Sequence, residues 1–316
     1  MELLQPLRQH EYPAGYLAAR LRGRAAAGGI SREEQDGGRQ PAAILEPFRE
    51  ISRTDGPWLF LRHECRWVYA RMNSRLRRGF APLYLYLELP FLLAAIRTAA
   101  DRDSRARLAG FTDTSLLHPN LVRPLTGNDT VEEILAGLAE PLASLDQALA
   151  DLPAIHGRGG PAAVDAAVTN GLFASLARAA MPTEVRDFFR RLIDGHNLIL
   201  LHKIRRWQPE PAPSFFAGGA IDPDRFRAAI HQDGEDHLFL RRLDLPPSTA
   251  VAQGRGLENA VFAGIARHLR RQSLRGAAPA AVILRYLWDL YLFVRRASLL
   301  ARQRLLPGYA IEEEPA

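Results

Sequence analysis

Three polar side chains share one face of the stretch 182–207, PTEVRDFFRRLIDGHNLILLHKIRRW: the acid Asp194, the amide Asn197 and the guanidinium Arg205, at offsets i, i+3 and i+11. At roughly 100° per residue of an α-helix they fall within about 80° of one another. The residues from Leu198 to Ile204 are largely apolar around the whole circumference, so a central helix is expected here and not a surface one. Buried in it, the three groups must bond one another or neighbouring backbone, at about 1–3 kcal/mol for each group left unpaired. Such a stripe either ties helices together or serves a site, and spacing alone does not separate the two.

No other constellation has the spacing that catalysis or metal binding needs. The segment GRGGP at 157–161 lacks the Lys-Ser/Thr of a phosphate-binding loop. His63-Glu64-Cys65 has no second histidine at zinc-protease spacing. His196 and His202 are six apart and face about 120° away from each other on a helix, so they do not share a metal. Asp233, Glu235, Asp236 and His237 lack the alternating oxygen ligands and closing Glu of a calcium loop, and read as a solvated loop with a helix cap. No catalytic residue, cofactor or metal is therefore expected.

The element that positions the stripe is well marked. Pro182 stands at the first helical position, Glu184 and Asp187 lie in the first turns, and Lys203, Arg205 and Arg206 occupy the last, all suiting the helix dipole. Similar framing recurs where Pro82 follows RRGFA and Pro279 follows LRGAA, at intervals of 100 and 97 residues from Pro182. Such long-period repetition predicts three helical hairpins, with units at 1–127, 128–220 and 221–316. The first arm of the first hairpin is expected over 57–78, and Pro90 is expected to bend or break the second. Asn128, Asp129 or Thr130 can cap the next helix, HGRGGP at 156–161 reads as a loop, and Asp222 with Pro223 opens a further helix. Short helices are expected at 16–27 and from Pro41, the charged stretch from Asp101 to Arg107 reads as an exposed turn, and PGYAIEEEPA as a loose acidic end.

Apolar residues fall at three- and four-residue spacings, with sustained alternation only in the short YLYLEL of 84–89, so an all-α protein is expected. With 316 residues, 47% of them hydrophobic, the chain can bury a large core. The net charge of +6 comes from 41 basic residues interleaved with 35 acids, a pattern of solvated surface that argues against nucleic acid as a partner. The single Cys65 excludes an internal disulfide and fits a reducing compartment. The N-terminal MELLQPLRQHEYPAGYLAARL does not read as a signal peptide. The longest apolar run, 80–96, is interrupted by Glu88 and Pro90 and falls short of the roughly 18–20 residues a membrane span needs. A soluble or peripheral protein is expected.

Taken in order, these stretches resemble the C subunit of prokaryotic V/A-type ATPases, the relative of subunit d in the eukaryotic vacuolar enzyme. FFRRLIDGHNLILLHKIRRW is similar to that family's pattern of an acid, then Asn-Leu, then a basic residue ending the arm. FFAGGAI resembles its Gly-containing turn, here Gly218-Gly219 followed by Ile221. YLAARLRGRAAA looks like its N-terminal Tyr…Ala-Arg helix, and LLHPNLVRPL stands where its short segment follows the first long hairpin. Two units depart from the pattern: Phe91 replaces the Asn after Glu88, and Arg295 and Ser298 stand where acid and Asn would be expected in the third.

The resemblance implies three similar helical units arranged as a pseudo-threefold funnel on the cytoplasmic face of a membrane rotor ring, receiving the foot of the central stalk. Such a subunit performs no chemistry and takes no small-molecule substrate; it couples stalk rotation to ring rotation, and so ATP turnover to H⁺ or Na⁺ transport. Its partners would be the rotor ring and the central-stalk subunits, and its place peripheral, on the inner face of the cell membrane. The alternative is a soluble all-helical adaptor that shares the fold without the rotary function.

Overall fold

The computed structural model describes residues 3–7, 11–28, 56–98, 101, 112–126, 130–209, 213–231, 236–245, 256–275 and 278–305. In chain order their helices are α1 (Ala14–Gly28), α2 (Gly56–Arg71), α3 (Ser74–Arg97), α4 (Pro119–Thr126), α5 (Val131–Leu142), α6 (Leu152–Leu176), α7 (Thr183–Trp207), α8 (Pro223–Ala229), α9 (Asp236–Arg242), α10 (Leu257–Arg275) and α11 (Pro279–Leu305). A short 3₁₀ turn, Gln147–Asp151, precedes α6. Only isolated bridges, Leu4 with Leu117 and Tyr12 with Met72, occur in place of strands among the described residues. The chain is all-α, as its apolar spacing predicts.

Packing groups the chain into two units, each built from separated segments: Met1–Tyr12 with Arg62–Pro182, and Pro13–Leu61 with Thr183–Ala316. This grouping differs from the three consecutive segments expected from the recurring prolines, for a reason visible at the N-terminus. The Leu3 carbonyl accepts from the His118 amide and the Gln5 amide donates to Leu116, which ties the first residues to the first unit. Helix α1 instead packs on α11, at the other end of the sequence.

In the first unit α3 is the core helix, packed on α5 and α6. Tyr84 meets Tyr69 edge-on at 4.9 Å and Tyr86 stacks near Phe173 at 6.4 Å. Helix α3 starts at Ser74, where the Asn73 side chain accepts from the Leu76 amide, so Pro82 lies inside it and does not open it. It also continues through Pro90. Burial of most of its apolar side chains outweighs the roughly 3 kcal/mol that an internal proline costs. The preceding arm consequently ends at Arg71, with Leu76 on the next helix. At 24 residues α3 is long and apolar enough to cross a membrane, which the interrupted run in the sequence does not suggest, but 78% of its most apolar window is buried within the protein.

The expected loop HGRGGP is instead a break within α6, confined to Gly159 and Gly160; the latter takes φ +64°, open to glycine without strain. Helix α5 is capped by Thr130, not Asn128 or Asp129: its hydroxyl accepts from the Glu133 amide while the Glu133 carboxylate accepts from the Thr130 amide. The Thr130 hydrogen bonds hold the Glu133 carboxyl below its ordinary value.

The second unit has two aromatic clusters. Trp288 is fully buried against Phe188 at 5.0 Å, Phe262 at 5.5 Å and Tyr291 at 5.1 Å, and its indole N–H donates to the Phe262 carbonyl. Phe226 stacks between Phe215 and Phe239 at 5.6 and 4.6 Å, anchoring α8 and α9. Helix α8 opens as expected, with the Asp222 side chain accepting from the Asp224 amide and Pro223 at the first position. The helix expected from Pro41, the stretch 102–107, Asp233 and Glu235, and the tail at 307–316 lie outside the described residues.

Candidate functional site

Helix α7 begins one residue after Pro182 and carries the polar stripe inward: Asp194 and Asn197 are 1% and 0% exposed, and Arg205 is half-buried. The three bond backbone, not each other. Asp194 accepts from the amides of Ala220 at 3.1 Å and Ile221 at 3.0 Å. Asn197 makes a paired bond with Phe216, donating to its carbonyl at 2.9 Å and accepting from its amide at 2.8 Å. Arg205 donates to the Ala229 carbonyl at the end of α8. One helix face thus holds the chain from Phe216 to Ala229 against itself, with the apolar residues Phe215 and Ile221 buried beside it.

The turn between these anchors needs its glycines. Gly218 takes φ +96°, a region that costs a side chain strain. At Gly219 the constraint is contact, since a Cβ there would overlap Asp194 Oδ1 and lie 3.1 Å from its Cγ. The Ala220 carbonyl accepts from Arg242 at 3.0 Å, which adds a hold from α9.

Burial pushes the Asp194 carboxyl up from 3.8 to about 6, against the Ile221 and Ala220 amides and the charges of Arg242 and Arg191. The folded protein therefore binds this proton more readily than the unfolded chain. Its stabilising contribution is fully present below about pH 4 and is lost as pH rises through about 6. Between about pH 4 and pH 7 the wild type is expected to lose about 2 kcal/mol relative to Asp194→Asn, which cannot ionise. Urea denaturation of both proteins across that range measures the difference, and parallel profiles would show that the carboxyl titrates normally.

The first unit repeats the device with other residues. Glu88 on α3, 4% exposed, accepts from the Ser115 hydroxyl and the Leu116 amide, each at 3.0 Å. These acceptors lie 27 and 28 residues before their donors; at Asp194 the separations are 26 and 27. Arg62, itself 8% exposed, pairs with Glu88 at 3.0 Å, donates to Thr114 at 3.1 Å and stacks 4.3 Å over Phe91. Phe91, in the position of the asparagine, therefore packs the counter-ion of the acid. Burial lowers the Arg62 guanidinium from its ordinary value, with the Glu88 charge opposing.

Helix α11, expected from the sequence as a further second arm, carries a cation instead of an acid. Arg295 pairs with Glu258 at 3.2 Å and sits 4.6 Å over the Phe262 ring, and Ser298 accepts from the Trp58 indole at 3.0 Å. The buried acid is thus replaced by a cation whose partner comes from α10.

The remaining candidates do not converge. His196 lies between the rings of Phe216 and Phe262, and burial pushes it down to about 4, so it is neutral at physiological pH and packs as an aromatic. Cys65 is buried, which raises its thiol well above the reactive range. His63 is exposed, whereas Cys65 and Glu64 are both buried. No group of three His, Cys, Asp or Glu residues among the described residues can hold a metal ion.

Sequence spacing points to Asp194, Asn197 and Arg205 but not to Arg62, Ser115 or Arg242. The signal that could have found Ser115 is the common separation between buried acid and following turn. No protein-family model and no curated protein sequence matches the chain.

Proposed function

We propose that the chain is the non-catalytic socket subunit of a V/A-type rotary ATPase, joining the central stalk to the membrane rotor ring. The observation that carries this reading is the meeting of Asp194, Asn197, Gly218 and Gly219, the residues on which the resemblance rests, in one helix-to-turn latch. The Glu88 latch supports it, since related units with equivalent devices are what a funnel of three helical hairpins requires. In this proposal the second arms are α3, α7 and α11, arranged about a pseudo-threefold axis.

A coupling subunit needs stiffness more than chemistry. Fastening α3 and α7 to the segments that follow them removes a hinge from each, and densely packed interiors deform little under load. Torque from the stalk then passes through the helical frame to the ring at the cytoplasmic face of the membrane, linking ATP turnover to H⁺ or Na⁺ movement.

Affinity purification of the tagged chain from gently solubilised native membranes tests the proposal, with partners identified by mass spectrometry. The expected result is recovery of the nucleotide-hydrolysing head, stalk and ring subunits in stable proportion. Recovery of the chain alone, under conditions that keep the ATPase intact, would contradict it and favour a soluble helical adaptor.

A further inference from the structure

A cavity of about 660 Å³ opens in the first unit beside the start of α3, and its lining combines three arginines with no acid among the described residues. Arg77 is 8% exposed and held in place by donating to the Leu7 carbonyl and pairing with Glu11. Those bonds use two of the five N–H donors of a guanidinium. Arg178 approaches from beyond α6, anchored through one nitrogen to the Leu145 carbonyl at 2.8 Å. Arg78 is exposed and makes no hydrogen bond or ion pair among the described residues. The three guanidiniums less the Glu11 carboxylate leave a formal charge of +2 around the cavity.

Two further features point the same way. Tyr69 lines the cavity, and its hydroxyl, which makes no hydrogen bond within the described residues, is open to the cavity's solvent as a donor. Burial raises this phenol above its ordinary value with the Arg77 charge opposing, so it stays a donor at neutral pH and senses that guanidinium. Ser74, the first residue of the 24-residue helix α3, also lines the cavity and brings the positive end of the helix dipole to it. Leu4 and Pro82 contribute apolar wall, and the volume lies in the range of small-molecule sites.

We propose that this cavity binds a soluble phosphate monoester, its phosphoryl group held by Arg77, Arg78, Arg178 and Tyr69 and its organic body resting on the apolar wall. A phosphate monoester carries about −1.5 to −2 charge at pH 7, which matches the surplus, and its three terminal oxygens accept from donors arriving on several sides. This role is additional to stalk coupling and does not depend on it.

Isothermal titration calorimetry on the full chain, with phenyl phosphate, inorganic phosphate and acetate at matched ionic strength, tests the site. Saturable binding is expected for phenyl phosphate, weaker binding for inorganic phosphate and none for acetate. The double variant Arg78→Gln/Arg178→Gln removes two of the three guanidiniums and is expected to weaken phenyl phosphate binding by about tenfold or more, while the protein stays folded with a midpoint lowered only by the loss of the Arg178–Leu145 hydrogen bond. Tyr69→Phe is expected to weaken it by several-fold. Absence of saturable heat, equal binding of acetate, or wild-type affinity in the double variant would overturn the proposal.

Discussion

Glu88→Ala is expected to lower the unfolding free energy by about 3–5 kcal/mol, the cost of stranding a buried charge by removing its partner. The charge concerned is Arg62, whose 3.0 Å pair is lost while its contacts with Thr114 and the face of Phe91 remain. The Ser115 hydroxyl and the Leu116 amide lose their acceptor in the same step. Replacing both charges, as in Glu88→Gln/Arg62→Met, is expected to recover most of the loss, because neither ion is then buried alone. Urea denaturation of the two variants distinguishes the cases. A loss below about 1 kcal/mol for the single variant would mean that water reaches the pair.

Gly219→Ala is expected to cost about 3–4 kcal/mol by displacing the side chain it faces. Its new methyl would occupy the position of Asp194 Oδ1, and the carboxylate has nowhere to go without abandoning the amides of Ala220 and Ile221. Two amides without acceptors cost about 1–3 kcal/mol each. Asp194→Ala alone should produce a comparable loss for the same reason. In the Asp194→Ala background, however, Gly219→Ala meets no carboxylate, so it is expected to add less than about 1 kcal/mol. Urea denaturation of the two single variants and the double variant completes the cycle. Additive losses in the double variant would show that the glycine is required for some other reason.

Where structure is decided locally, the sequence is a good guide. The start of α7, the Thr130 cap, the Asp222-Pro223 start of α8 and the opening of α11 at Pro279 all follow from residues within one turn of the boundary. Asp194, Asn197 and Arg205 are legible as partners of something, because polar groups on an apolar helix must be satisfied. What they bond is not legible, since the Phe216–Ile221 turn and the end of α8 at Ala229 reach them only after the chain has left the helix and returned.

Misreadings arise where tertiary burial overrides local preference. Pro82 looks like a helix start, yet Asn73 caps α3 well before it. The apolar residues on both sides of Pro82 and Pro90 are buried, and that burial keeps the helix continuous where local rules would break it. HGRGGP has loop composition, but Gly159 and Gly160 absorb the whole change of direction, and helix resumes at once. The grouping into two units has no local signal either, because it depends on α1 packing against α11 from the far end of the chain. Arg62 and Glu88 likewise meet from different helices, and neither looks unusual within its own.

The latches are the structural basis of both stability predictions and of the functional proposal, and native-state amide hydrogen exchange tests them most directly. In the wild type, the amides of Ala220 and Ile221 should be protected to nearly the level of the α7 core. In Asp194→Ala their protection should collapse, while the Leu116 amide, held by Glu88, keeps its own. If Ala220 and Ile221 exchange freely in the wild type, or are equally protected without the carboxylate, Asp194 does not hold the turn and the latch is contradicted.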